Sequence, residues 1–213
     1  MNVTIIGTGN MARALGTRLV AGGHTITVLG KDEASAEAVA DEVRSSGADE
    51  ASIRTGVSEG PIADDVVVLA VYYPDARGIV EQLADELSGS VVVDITNPVN
   101  ETYDALVTPP DSSATQELAK LAPGARFVKA FNTTFAGTLR DGQVAGYPLD
   151  VFLAGDDFDA KGVVARLAEA GGLRPIDAGG VRRARELEAA GLLHVVVQGT
   201  LGTEFGSALK LVS

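Results

Sequence analysis

The chain has 213 residues, 46% of them hydrophobic, and its 29 acidic against 17 basic residues give a formal net charge of −12. This length suffices for one domain with a full core, and the acidic balance argues against a nucleic acid partner, because phosphate binding needs a basic face. The chain has no cysteine and only two histidines. Disulfides are therefore excluded, a structural zinc site is nearly excluded, and we expect no metal.

No apolar run in the sequence approaches the roughly 18 residues that a membrane helix needs. The first residues, MNVTIIGTGN, carry no basic stretch ahead of their apolar run and enter a strand at once. We therefore expect neither a membrane span nor a signal peptide, and a cytoplasmic protein.

Apolar runs rich in β-branched residues alternate with amphipathic stretches along the chain. The runs predict strands at residues 3–7, 25–30, 66–71, 91–96, 126–131, 151–155 and 173–179. The stretches MARALGTRLVA, EASAEAVADEV and ARGIVEQLADEL predict helices. Continuous apolar strands indicate a sheet covered on both faces, and the alternation indicates parallel crossovers. The predicted fold class is α/β, with a doubly wound (Rossmann), mostly parallel sheet.

The first strand leads into the segment Gly7-Thr8-Gly9-Asn10-Met11-Ala12, which opens the first helix. Gly7 allows a tight turn, Gly9 lets the backbone approach a pyrophosphate, and the small Ala12 permits close packing of helix on strand. A strand before and a helix after are the context that this glycine motif requires. We predict a dinucleotide site here; a glycine turn without a ligand is the alternative.

The second predicted strand ends in Leu29-Gly30-Lys31-Asp32. Enzymes that use NAD usually place an acid at this strand end to bind the ribose hydroxyls. A cation follows instead, and Lys31 could pair with a 2′-phosphate, so NADP is favoured over NAD. Alternatively, Lys31 is only solvated and Asp32 caps the next helix, a role open to it with either cofactor.

The fourth predicted strand continues into DITNPVN at residues 94–100, a segment similar to the nicotinamide-side loop of malate and lactate dehydrogenases. A hydroxyacid dehydrogenase needs a histidine as base. His24 precedes the second strand, at the wrong end of the sheet, and His194 lies in the apolar segment LLHVVV, where a core or interface role is the common one. An aromatic hydride acceptor, a flavin or deazaflavin, fits better because it needs orientation rather than proton transfer. An ordinary turn at Pro98 is the alternative.

Two further sites follow predicted strands. Tyr72-Tyr73-Pro74 could form a stacking platform for the acceptor, or pack on the next helix. Asn132 follows an apolar strand at the expected binding edge, where a polar amide needs a partner. We expect Asn132 to position a ring, so that Asn132→Ala would lower turnover more than cofactor affinity; capping the turn before Thr133 is the alternative.

The chain becomes one predicted helical run after Gly180, interrupted by glycines. We predict an NADP-binding Rossmann domain over 1–180 and a C-terminal helical segment over 181–213. This segment would belong to the same domain or form a dimer contact.

Several segments together resemble the NADPH-dependent reductases of the deazaflavin coenzyme F420 and the related cytosolic reductase domain of the STEAP metalloreductases. They are GTGNMARAL, KDEASAEAVADE, AVYYPDA, KAFNTTFAGTL and LRPIDAGGVRRARELE. The resemblance covers nearly the whole chain. It implies an oxidoreductase that transfers hydride between NADPH and a small-molecule acceptor, coenzyme F420 or FAD/FMN. It also implies a homodimer with the nicotinamide at the carboxyl edge of the sheet.

The resemblance also assigns roles to single residues. Thr8, Asn10 and Met11 would bind the pyrophosphate or the adenosine side, and Lys31 would meet the 2′-phosphate. The rest would lie along the cofactor: Ala70, Val71 and Tyr72 after a strand, Asn97 and Pro98 at the nicotinamide ribose, and Ala130 and Asn132 near the ring. Asn132-Thr133-Thr134 stands where relatives that use F420 tend to have a histidine, closer to the STEAP pattern, and Gly30 stands where relatives often have serine.

Two other functions remain open at this point. An imine or pyrroline-5-carboxylate-type reductase shares the N-terminal fold but usually has a longer helical C-terminal domain than the about 33 residues that follow Gly180. A non-catalytic NADP-binding sensor would keep the dinucleotide site without any reactive side chain.

Overall fold

The computed structural model of the protein describes residues 1–47, 52–58, 62, 64 and 66–212. Its strands are β1 (Asn2–Ile6), β2 (Thr25–Gly30), β3 (Ile53–Val57), β4 (Val66–Leu69), β5 (Val91–Asp94), β6 (Arg126–Lys129), β7 (Gln143–Val144), β8 (Tyr147–Pro148), β9 (Asp150–Ala154) and β10 (Arg174–Gly179). Its helices are α1 (Asn10–Ala21), α2 (Glu33–Ser45), α3 (Tyr73–Gln82), α4 (Ala114–Leu121), α5 (Ala136–Asp141), α6 (Phe158–Ala170), α7 (Ala184–Val196) and α8 (Gln198–Leu201), with a 3-10 turn at Val181–Arg183.

The main sheet has the order β10-β9-β6-β5-β4-β1-β2-β3. Strands β1 to β6 are all parallel, and their order, 3-2-1-4-5-6, is that of a dinucleotide-binding sheet. β9 joins β6 in antiparallel sense through Lys129 opposite Ala154, and β10 runs parallel to β9. The prediction of a doubly wound, mostly parallel α/β sheet is confirmed.

The sheet buries both of its faces. In β4, Val66 and Val68 belong to the core on the side of α1, α2 and α6, whereas Val67 and Leu69 belong to the core on the side of α3 and α4. Both faces are apolar because helices cover both, which is why these strands appear in the sequence as continuous apolar runs.

The sheet edge and the C-terminus differ from the sequence prediction. β3, with the sequence IRTGV, was not among the predicted strands. It lies at the sheet edge, and Ile53 is its only buried residue, so it has no continuous apolar run. The predicted helical run after Gly180 ends at Leu201, because Gly202 takes the left-handed conformation (φ 62°) that stops a helix. Residues 203–212 are not helical. In the part of the chain that the structure describes, no helix is long and apolar enough to cross a membrane.

Candidate active site at the carboxyl edge of the sheet

The turn between β1 and α1 is built for close backbone approach. Gly7 has φ 127°, and a Cβ atom there would lie 2.2 Å from the carbonyl oxygen of Ala70, so a side chain cannot be accommodated. Gly9 is the N-cap of α1, and no described side chain caps this helix end. A Cβ at Gly9 would meet nothing within 4 Å. The uncapped amides of α1 therefore face open space, the arrangement that binds a phosphate.

A cavity of about 400 Å³ lies beside this turn, at the carboxyl ends of β1, β4 and β5. It is at the point where the strand order reverses, which is the usual ligand site of such sheets. Its lining comes from four parts of the chain: Thr8 to Met11, Ala70 to Tyr72 with Asp75, Ile95 to Asn97 with Val99 and Tyr103, and Gly191, Leu192 and Val195 of α7. Helix α7 thus forms one wall of the cavity, a role that was not predicted from the sequence.

Eight of the residues chosen from the sequence line this cavity: Thr8, Gly9, Asn10, Met11, Ala70, Val71, Tyr72 and Asn97. The two tyrosines after β4 have different environments, since Tyr72 is 79% exposed at the cavity whereas Tyr73 is buried against α3 and α4 residues. Pro98 and Ala130 are buried and do not line the cavity.

Lys31 is exposed immediately after β2. Asp32 accepts a hydrogen bond from the amide of Ser35 at 2.8 Å and caps α2, as the sequence allowed. A Cβ at Gly30 would lie 2.6 Å from Ser35 Oγ and 2.8 Å from the Asp32 carbonyl oxygen. Glycine at this position is therefore required by the packing of this turn.

Asn97, which lines the cavity, and Asn132, which does not, form a reciprocal pair. Asn97 Nδ2 donates to the carbonyl oxygen of Asn132 at 2.8 Å, and Asn132 Nδ2 donates to Asn97 Oδ1 at 2.8 Å and to the carbonyl oxygen of Leu187 at 2.9 Å. A Cβ at Gly191 would lie 2.7 Å from Asn97 Oδ1, so only glycine lets α7 come this close. The pair joins the loops after β5 and β6 to α7.

A buried ion cluster lies beneath the same edge. Lys129 Nζ is 2.8 Å from Asp94 Oδ2 and 3.0 Å from Glu188 Oε1, and all three side chains are fully buried. Burial lowers the pKa of Lys129, but the two carboxylates outweigh it, and the pKa lies above the usual lysine value. Burial raises the pKa of Glu188 in spite of Lys129. This cluster was not predicted from the sequence, where a lysine inside the apolar run RFVKAF was the available signal.

Neither histidine lines the cavity. His24 Nδ1 lies 3.1 Å from the N-terminal amine. It directly precedes β2, so it lies at the amino ends of the strands, away from the cavity. His194 is buried, with Nδ1 at 3.1 Å from the carbonyl oxygen of Thr133, Nε2 at 2.8 Å from Ser207 Oγ, and the Phe135 ring 4.2 Å away. Burial lowers the pKa of His194, and both of its ring nitrogens lie within hydrogen-bond distance of protein groups, so His194 is a packing residue and not a base for the cavity.

Comparison with known proteins identifies the family. Residues 2–98 match the family described as NADP oxidoreductase, coenzyme F420-dependent. The F420-dependent NADP reductase of Methanocaldococcus jannaschii is 30% identical over 204 residues, covering 89% of this chain and 88% of that protein. Metalloreductase STEAP3 of Rattus norvegicus is 32% identical over 187 residues, covering 88% of this chain. The match takes in 36% of STEAP3, so the chain spans about a third of that relative.

The fold has a close counterpart among solved structures. A candidate F420-dependent NADP reductase from Arthrobacter sp. FB24 superposes with a TM-score of 0.86, covering 99% of each chain at 24% identity. At that identity the superposition shows only that the fold is shared. The family is shown by the Methanocaldococcus relative, which is similar over nearly its whole length. This chain therefore belongs to the family of coenzyme F420-dependent NADP oxidoreductases.

Proposed function

We propose that the protein transfers hydride between NADPH and a flavin-type or deazaflavin acceptor such as coenzyme F420. The observation that carries the proposal is the make-up of the cavity, which has the open glycine turn at one end and a mostly apolar interior at the other. Among the described lining residues, the titratable side chains are Tyr72, Asp75 and Tyr103, and all three are exposed. An interior without an acid or base fits hydride transfer between two conjugated rings, which depends on proximity and orientation.

The proposed roles of the residues follow the direction in which a dinucleotide crosses such a sheet. Gly7, Thr8, Gly9, Asn10 and Met11 bind the pyrophosphate through the uncapped start of α1.

On the adenosine side of this turn, Lys31 pairs with the 2′-phosphate. Ala70, Val71 and Tyr72 lie along the dinucleotide after β4, with Asn97 and Pro98 at the nicotinamide ribose. A bound nicotinamide would supply the hydride, and the chain's own residues hold it against the acceptor.

Ala130 and Asn132 are proposed to support the ring from behind. The amide nitrogen of Asn132 is fully used by Asn97 and by the carbonyl oxygen of Leu187, and Asn132 does not line the cavity, so it is proposed to act on the ring through Asn97. We expect Asn132→Ala to lower kcat more than it raises the KM for NADPH. Unchanged turnover in this variant would refute the role.

The acceptor is tested by following NADPH oxidation at 340 nm with coenzyme F420, FMN and FAD in parallel. Oxidation with at least one of the three is expected. Pyrroline-5-carboxylate serves as a fourth acceptor, and activity with it alone would favour an imine-type reductase. NADP⁺ binding without oxidation of NADPH by any acceptor would favour a sensor.

The choice of NADP over NAD is tested at Lys31. Lys31→Ala should raise the KM for NADPH by roughly tenfold, about 1.4 kcal/mol for a lost charge pair, and should leave the KM for NADH unchanged. Lys120→Ala is the matched control, because Lys120 is an exposed lysine on α4 paired with Glu117. Equal effects of Lys31→Ala on both cofactors would exclude a 2′-phosphate contact.

We also propose that residues 181–213 belong to the same domain as residues 1–180, because Glu188 of α7 is buried against Lys129 of β6. A homodimer is proposed through the outer side of α7 and α8, where Leu193, Val196 and Leu201 are each more than half exposed. Light scattering should give the mass of a dimer for the wild type and a smaller mass for Leu193→Glu.

A further inference from the structure

Thr96 lines the cavity directly after β5 and is 3% exposed, yet its hydroxyl has no hydrogen-bond partner among the described residues. Two other buried threonine hydroxyls in this region are satisfied: Thr115 Oγ1 donates to Asp94 Oδ2 at 2.8 Å, and Thr134 Oγ1 donates to the carbonyl oxygen of Phe131 at 2.7 Å. A buried polar group without a partner is costly and calls for an explanation. A ligand in the cavity would provide the missing partner.

The backbone of Thr96 is fixed on both sides by the buried ion cluster. Its amide donates to Asp94 Oδ1 at 2.8 Å, and its carbonyl oxygen accepts from Lys129 Nζ at 2.6 Å. Lys129 is itself held between Asp94 and Glu188. Both backbone groups of Thr96 are therefore engaged by the cluster, and the hydroxyl is the polar group of this cavity-lining residue that has no partner among the described residues.

The position of Thr96 along the sheet indicates which part of a ligand it meets. The phosphate turn follows β1, and β5 lies two strands away on the side opposite to β2. A dinucleotide whose pyrophosphate lies on α1 and whose adenosine lies towards β2 places its other half over β4 and β5. That half contains ribose hydroxyls and a carboxamide, both of which complement a hydroxyl that can donate and accept.

We propose that Thr96 Oγ1 forms a hydrogen bond with the nicotinamide half of the bound dinucleotide, and that the Asp94–Lys129–Glu188 cluster is the positioning device that aims it. This inference rests on the proposed function, since it requires a dinucleotide in the cavity. Thr96 would contribute to ligand binding through its own hydrogen bond, whereas Lys129 would contribute only by holding Thr96 in place.

The test compares two ligands by titration calorimetry: NADP⁺, and adenosine 2′,5′-bisphosphate, which lacks the nicotinamide half. Thr96→Val removes the hydroxyl and keeps the β-branched shape, and it should weaken NADP⁺ binding by roughly 3- to 10-fold, the worth of one hydrogen bond. Thr96→Ser keeps a hydroxyl and should restore the affinity to within about twofold. The bisphosphate should bind all variants equally. Thr134→Val is the matched control, since its hydroxyl is satisfied within the protein.

The positioning role is tested with Lys129→Met/Glu188→Gln, which removes one positive and one negative charge and so leaves the net charge of the cluster unchanged. Provided that circular dichroism shows a folded protein, this variant should weaken NADP⁺ and not the bisphosphate. Combining it with Thr96→Val should cause no further loss, because residues that act through one contact are not additive. Additive losses would overturn the positioning role.

The remaining outcomes separate the inference from the proposed function. A wild-type protein that binds NADP⁺ while Thr96→Val binds it equally well would overturn the inference alone. So would an equal loss in Thr134→Val, or an equal loss of the bisphosphate in Thr96→Val. A wild-type protein that binds neither ligand would overturn the proposed function, and the inference with it.

Discussion

Replacement of Gly191 by alanine tests the close approach of α7 to the cavity wall. In the middle of a helix, alanine is favoured over glycine by about 0.8–1 kcal/mol. At Gly191, however, the new Cβ would lie 2.7 Å from Asn97 Oδ1, 2.9 Å from Asn97 Nδ2 and 3.0 Å from the Asn132 carbonyl oxygen. The Asn97 side chain would have to move, and its movement breaks both hydrogen bonds of the pair with Asn132.

Two broken hydrogen bonds cost about 2 kcal/mol at roughly 1 kcal/mol each. The gain in helix propensity offsets about half of this cost, so Gly191→Ala should lower the free energy of unfolding by about 1 kcal/mol. Gly162→Ala in α6 is the matched control, because its Cβ would meet only Arg166 Nη1, at 3.6 Å. That variant should gain about 0.8–1 kcal/mol, so the two substitutions should differ by about 2 kcal/mol.

Urea unfolding followed by circular dichroism measures this difference, and NADPH oxidation measures its effect on the cavity. We expect the turnover of Gly191→Ala to fall, because Asn97 and Gly191 both line the cavity, while Gly162→Ala keeps the wild-type rate. If Gly191→Ala gains as much stability as Gly162→Ala and retains full turnover, the close contact between α7 and the Asn97–Asn132 pair contributes nothing to stability or activity, and the reasoning fails.

Two further predictions concern buried charges. Lys129→Met leaves Asp94 and Glu188 buried without their cation and should cost about 3–5 kcal/mol of unfolding free energy at pH 7; a loss under about 1 kcal/mol in urea unfolding would contradict a buried ion cluster. Burial opposes the ionisation of Asp150, but hydrogen bonds, first from Arg174, outweigh it and lower its pKa to about 2. Its ionised form therefore stabilises the fold above about pH 4, and this contribution is lost as the pH falls towards 2. Asp150→Asn should cost at most about 2 kcal/mol at pH 7, since solvent screens the 40% exposed Arg174, and its difference from the wild type in acid titration should shrink below pH 4; a constant difference would refute the assignment.

Local rules were sufficient to predict the glycine turn between β1 and α1 and the strands around it. Gly7 and Gly9 stand in a strand–turn–helix context whose geometry depends on residues adjacent in sequence, and the cavity forms beside them. The strands buried on both faces are continuous apolar runs, so the pattern alone located them. β3 was missed because an edge strand exposed on one side lacks that pattern.

The sequence by itself thus determined the class of fold, the glycine turn between β1 and α1 and the family resemblance, because each depends on residues close together along the chain. Tertiary structure decided the rest. Asn97 and Asn132 are 35 positions apart, and Glu188 is 74 positions from the Ala114 amide to which it binds. Whether a lysine in an apolar strand is paired, or a threonine beside a cavity is satisfied, depends on partners that only folding brings within 3 Å. Thr96 was therefore indistinguishable from any turn residue until the ion cluster around it was seen.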